Sequence, residues 1–168
     1  ALSAFWVRPG AFYVDYIDFR SLGILWSLMA IMQGLKCNGV FEAIGWKLLE
    51  KTRKVGELVA VLVFLCFFTA MFITNDVALI TFVPFTVMML INCRKEELMI
   101  PVIVLQTIAA NLGSMLTPIG NPQNLYLYGL SGLSIREFLL YMLPFSAVSA
   151  VLLLAALALI RGKEQKIR

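Results

Sequence analysis

The chain has 168 residues, of which 61% are hydrophobic and 14% charged, with a mean hydropathy of +0.88. Soluble domains carry about 45–50% apolar and about 25% charged residues, so this composition excludes a soluble enzyme, a disordered tail and a disulfide-rich secreted module; the absence of histidine also excludes imidazole metal sites and histidine-based triads. The net charge of +4 comes from basic residues that flank apolar stretches and do not interleave with aromatics, the pattern of a multi-pass membrane protein and not of a nucleic-acid binder.

The opening stretch ALSAFWV is much too short to cross a bilayer, and the sequence is expected to continue a segment upstream. Residues 21–35, between Arg20 and Lys36, carry no charge and predict a transmembrane helix over 19–38, which Lys36 lengthens by snorkelling. Over 39–54 the pattern changes. Phe41, Ile44, Leu48 and Leu49 share one helical face while Glu42, Lys47, Glu50, Lys51 and Arg53 crowd the rest, which predicts an amphipathic helix at the interface. Residues 55–93 and 98–130 hold two long apolar runs, each with a polar interruption. A last uncharged interval, 138–160, predicts a span over 136–161, with Pro144 near its start as a kink site. Cys37, Cys66 and Cys93 show no metal or redox spacing and are expected to be small packing residues. Placing 39–57, 94–97 and 161–168 on one side, with Lys36 at its edge, collects 11 of the 14 Lys and Arg there and leaves Arg8, Arg20 and Arg136 on the other. That bias predicts a cell membrane protein with those segments cytoplasmic.

The first interruption is Thr74-Asn75-Asp76. It divides its run into apolar arms over 58–73 and 77–93, each about 24–26 Å long as helix against a hydrocarbon core of about 30 Å. Two readings fit: a pair of short spans joined by an outer turn, or a re-entrant hairpin whose tip stops inside the membrane beside a wet cavity. The second interruption gathers Gly113, Pro118, Gly120 and Pro122 with Asn111, Ser114, Thr117, Asn121, Gln123 and Asn124. Pro118 and Pro122 remove two donors and free the carbonyls of Ser114 and Pro118. Here an outer loop competes with a helix broken within the membrane, the device by which secondary transporters bind solutes. Asn75, Asn111, Asn121 and Asn124 supply amides, Thr74, Ser114 and Thr117 supply hydroxyls, and Gly113 and Gly120 allow close backbone approach. Helix N-termini after each interruption favour an anion. Asp76 is the one acid within 58–93 or 98–130, a functional candidate on that ground.

At these residues the sequence resembles the ion-transporter superfamily, which includes citrate transporters, divalent anion/sodium symporters, arsenite permeases and some sodium/proton antiporters. The stretch YIDFRSLGILWSLMAIMQGLKCNGVFEAIG resembles the span leading into the interfacial arm helix. ITNDVALITFVP resembles the hairpin tip, and ANLGSMLTPIGNPQN the broken helix that faces it. The likeness covers most of 16–161. It implies an all-α membrane fold forming the first of two inverted repeats of an elevator-type transporter that dimerises when complete. It also implies a solute site at Thr74, Asn75, Ser114, Thr117, Gly120, Asn121 and Asn124. With Asp76, Asn111, Gly113, Pro118 and Pro122 added from the residue chemistry, these are the candidate binding residues. The expected function is secondary transport of a small anion, citrate- or dicarboxylate-like or oxyanion-like, by a permease and not an enzyme. The alternatives are cation/proton antiport and a non-transporting membrane subunit. No cofactor is called for; the coupling ions in view are sodium, near Asn75 and Gly113, and a proton. Partners are the small anion, the lipid bilayer, the second repeat and a second copy. Asp76 stands where sodium/dicarboxylate members carry Thr, and its charge would repel a dianion unless protonated or paired with a cation.

Overall fold

A computed structural model describes residues 10, 14, 17–40, 43, 47 and 54–164. The described residues are mostly helical, with no strand among them. In chain order they form α1 (Phe19–Cys37), α2 (Val55–Thr69), α3 (Asn75–Asn92), a 3-10 turn (Glu96–Leu98), α4 (Met99–Ser114), α5 (Pro122–Ser131) and α6 (Ile135–Glu164). The interfacial helix expected over 39–54 falls almost wholly outside the described residues.

Helices α2 and α3 form an antiparallel hairpin. Leu58 and Leu62, early in α2, pack with Phe85 late in α3, while Leu65, Cys66 and Ala70 pack with Ala78 and Phe82 at the other end. The turn is displaced from the sequence expectation. Helix α2 ends at Thr69, the turn runs from Ala70 to Thr74, and Asn75 and Asp76 already belong to α3. The apolar residues Met71, Phe72 and Ile73 therefore make the turn, where continuation of α2 to 73 was expected. The cause is local: the Thr74 hydroxyl caps α3 by accepting from the Val77 N–H at 3.4 Å.

Helix α4 returns alongside the hairpin and is the axis of the bundle, packing chiefly on α2 and then on α3 and α6. Its inner face reads Val102, Gln106, Ala109, Ala110 and Gly113, the i, i+3, i+4, i+7 rhythm of one helical stripe. Apolar burial gives little drive between helices in lipid, so close van der Waals packing at small residues carries much of the association. Gly113 marks the closest approach: a Cβ built there would lie 2.0 Å from the carbonyl oxygen of Phe67 on α2. Large side chains from four elements, among them Val63 and Phe67, Leu90, Val102 and Leu153, close the core around this contact.

Helix α6 is continuous across Pro144 and lays Leu153 and Leu157 on the core. Its start is fixed by a reciprocal cap in which Ser134 donates from N–H and hydroxyl to the Glu137 carboxylate at 2.9 and 2.7 Å. Helix α1 touches the rest at α5. Of the cysteines, Cys66 is buried as expected, whereas Cys37 and Cys93 are exposed. Asn75–Asn92, Glu96–Ser114 and Ile135–Leu159 are long and apolar enough to cross a membrane, while Val55–Thr69 is shorter.

The α2–α4 contact makes a sharp prediction. Alanine gains up to about 1 kcal/mol over glycine in a helix, but overpacking costs about 1–3 kcal/mol or more where backbone must shift. Gly113→Ala is therefore expected to lower the thermal unfolding temperature of the full-length protein in detergent. Gly23→Ala, whose Cβ meets nothing within 4 Å, is expected to leave it equal or higher.

Candidate functional site

The hairpin tip and the interruption after α4 are bonded to each other. Helix α4 ends at Ser114, residues 115–121 form an irregular connection, and α5 starts with Pro122 in its first turn, where its missing N–H costs nothing. Asn121 is the cap, extended at φ −153° and ψ 156°, and its Oδ1 accepts the Asn124 N–H at 2.7 Å. The Asn121 amide also donates to Ser114 Oγ at 3.3 Å, and Ser114 donates to the Asn111 carbonyl at 2.9 Å. Asn124 Nδ2 donates to the carbonyls of Met115 at 2.8 Å and Thr117 at 3.2 Å, with that of Ser114 at 3.5 Å. The end of α4 and the connection leave these carbonyls without helix partners, and the Ser114 hydroxyl and the Asn124 amide take them up. The connection folds back so tightly that a Cβ at Gly120 would sit 2.1 Å from the Ser114 carbonyl oxygen; only glycine fits there.

Three bonds join this connection and α4 to the tip. The Asn75 N–H donates to the Gly120 carbonyl at 3.2 Å. The Asn75 side chain donates to Asn111 Oδ1 at 3.0 Å, and Asn111 in turn donates to the Thr107 carbonyl at 2.8 Å. The Thr117 hydroxyl donates to the Met71 carbonyl, which the early end of α2 leaves open. The N-termini of α3 and α5 thus lie next to one another at the Asn75–Gly120 bond, and each contributes a partial positive charge. Among the described residues, Asn75 Oδ1 and Asn124 Oδ1 accept no hydrogen bond and remain available to a solute.

The structure brings Thr74, Asn75, Asn111, Ser114, Thr117, Gly120, Asn121 and Asn124 together at one place. Three other candidates have different surroundings. Gly113 is taken up by the α2–α4 contact, Pro118 is buried in the connection, and Pro122 opens α5. Asp76 is exposed. One residue beyond Asn75, it is turned about 100° round α3, toward the face of Ile80, which is 61% exposed, and away from α4. An open cleft of about 440 Å³ between the start of α1 and the end of α5, lined by Asp18, Arg20 and Tyr128 among others, includes none of the candidate residues.

Sequence reasoning did not find the Met71 carbonyl or Gln106. A backbone acceptor leaves no signal in residue type. Gln106 had one: it is an amide in the middle of an uncharged run, in helical step with Ala109, Ala110 and Gly113.

The cap gives a second prediction. Asn121→Ala loses both the cap, worth about 0.5–2 kcal/mol, and the tie to Ser114. Asn121→Asp keeps an acceptor at the helix N-terminus and loses the tie alone. Thermal unfolding is expected to rank wild type above Asn121→Asp, and Asn121→Asp above Asn121→Ala.

A family model described as Citrate transporter matches residues 1–168. The chain is 36% identical over 141 residues to the inner membrane protein YbiR of Escherichia coli, covering 82% of this chain and 37% of that protein. It is 33% identical to an uncharacterized transporter of Methanocaldococcus jannaschii over 77% of this chain and 36% of the relative. It is 30% identical to a silicon efflux transporter of Oryza sativa over 76% and 26% respectively. The chain thus spans well under half the length of these curated relatives. No solved structure matches it significantly.

Proposed function

The chain belongs to the citrate transporter family, and from that premise we propose that it forms the solute-binding half of a secondary transporter for a small anion. It is a membrane protein of a transporter family, and its role is translocation, not catalysis. The observation that carries the reading is the bonding of the hairpin tip to the interrupted helix through Asn75, Gly120, Asn111, Thr117 and Met71. Two helix N-termini, side-chain amides and backbone carbonyls meet there, the equipment of a midplane solute site.

Helix lengths support a site within the membrane. Helices α4 and α5, of 16 and 10 residues, add to about 39 Å at 1.5 Å per residue, more than the hydrocarbon core of about 30 Å. The connection between them, about 24 Å along, then falls inside the core. Helix α2, with 15 residues, rises only about 22 Å, so the hairpin is re-entrant in this reading. Irregular backbone at that depth is tolerable where it is buried in protein or lines a wet cavity. The plasma or inner membrane location follows from the same reading, with 39–57, 94–97 and 161–168 cytoplasmic. So do symport with sodium or a proton, a second inverted repeat that completes the site, and an elevator-type homodimer. The relative named as a silicon efflux transporter widens the range of solutes to be tried beyond citrate.

Asp76 supports a second reading, cation/proton antiport. It is the acid nearest the tip, and no Lys or Arg lies in 58–93 or 98–135 to balance it. The experiment is flux into vesicles holding the full-length protein, with labelled citrate and oxyanions in one arm and sodium in the other, each under a pH gradient. Saturable anion uptake that falls about tenfold or more in Asn75→Ala and Asn111→Ala, at equal protein, is the expected result. Sodium/proton exchange without anion flux replaces it with the second reading. If the second reading holds, Asp76→Asn alters the pH dependence of transport; an unchanged profile rejects proton coupling through Asp76.

A further inference from the structure

Below the tip, the hairpin is tied to α4 a second time, by a side chain that solute binding does not use. Gln106 is fully buried, about 12 Å along α4 from Ser114. Its Nε2 donates to the Leu62 carbonyl of α2 at 3.2 Å and to Thr86 Oγ1 of α3 at 2.7 Å. Thr86 donates onward to the Phe82 carbonyl at 2.9 Å. One amide therefore holds both arms of the hairpin. Its Oε1 has no partner among the described residues.

An amide buried with an unfilled acceptor is a costly way to occupy space that a leucine would fill. What it adds is direction. Between Gln106 and the tip, the inner face of α4 is Ala109, Ala110 and Gly113, which permit close approach but offer few ridges to resist sliding of one helix along the other. Hydrogen bonds of fixed length and angle do resist it. The tip meets its partners through three bonds, two at Asn75 and one from Thr117, and a slip of one residue, about 1.5 Å, would break them all.

We propose that Gln106 is a positioning residue: it fixes the height of the hairpin on α4 so that the tip meets the helix interruption. For its effect on the solute this rests on the transport reading above; for its effect on the tip it does not. The test uses the full-length protein with Cys37→Ser and Cys93→Ser, and with cysteines placed by Asn75→Cys and Asn111→Cys. A short bis-methanethiosulfonate crosslinker then reads the height of the tip without any solute. Adding Gln106→Leu or Thr86→Val is expected to cut the 75–111 crosslink rate about tenfold, while Thr86→Ser, which keeps the hydroxyl, restores it. In the protein with native Asn75 and Asn111, the same two variants are expected to raise the solute KM about tenfold with kcat changed much less. Should Gln106→Leu not accumulate in the membrane, Thr86→Val, which spares the bond to Leu62, carries the test. An unchanged crosslink rate in Thr86→Val overturns the proposal, as does a slowed rate that Thr86→Ser fails to restore. A slowed and restored crosslink with no flux of any solute upholds the positioning role and rejects the transport reading.

Discussion

A helix that ends inside an apolar bundle exposes N–H and C=O groups for which no water is at hand, and each must find a partner in the protein. Two such ends occur here, at Thr69 and Ser114, and each is satisfied partly by its own side chains and turns and partly by the other segment. The Gly120 carbonyl takes the Asn75 N–H, the Met71 carbonyl takes the Thr117 hydroxyl, and the two side-chain amides of Asn75 and Asn111 close the join. Together they form a small polar body beside the hydrophobic packing of α2, α3 and α4, with Asn111 exposed at its edge. The same bonds that satisfy the backbone also bring the N-termini of α3 and α5 side by side, so what stabilises the interruption also creates a place suited to an anion.

The bundle is arranged to hold that body at a fixed height. Gly113 brings α4 onto the backbone of α2, and Gln106 ties α4 to both arms of the hairpin. Helix α6 covers the core with Leu153 and Leu157. Away from these contacts much of the surface is apolar, as along α1 at Trp26 and Met29 and along α6 at Phe145 and Val151. Such a surface is unsuited to water and ordinary in lipid. The polar groups are concentrated where the structure needs them, and the apolar ones face outward. That distribution is the reverse of a soluble domain and agrees with the family to which the chain belongs.

The helical membrane fold and the place of the two interruptions were legible because they rest on composition and on side-chain type. Runs without charge mark spans, and proline, glycine and asparagine gathered in one stretch mark an interruption. The turn of the hairpin was placed too late, since Met71, Phe72 and Ile73 look like helix by hydropathy; the deciding factor was the Thr74 cap, a local bond that outweighed the apolar pattern. What Gly113 approaches was not legible for a related reason. A glycine allows close approach, but the sequence does not say to what, and here it is the Phe67 backbone. Asp76 shows the same limit: neighbours in sequence, it and Asn75 part company by one helical step, and only Asn75 turns toward α4.

The central claim is that the tip and the interrupted helix meet in a wet cavity within the membrane. Spin labels at positions 75 and 121 of the full-length protein in lipid vesicles, with reference labels at the exposed apolar positions Ile80 and Ile108, test it by comparing collisions with oxygen and with a water-soluble nickel chelate. The account predicts that labels at 75 and 121 meet the nickel chelate while the labels at 80 and 108 meet mainly oxygen, which concentrates in hydrocarbon. Labels at 75 and 121 that meet oxygen alone, or reference labels that sit at headgroup depth, would contradict it. The first result would make the join a dry packing contact, and the second an outer loop.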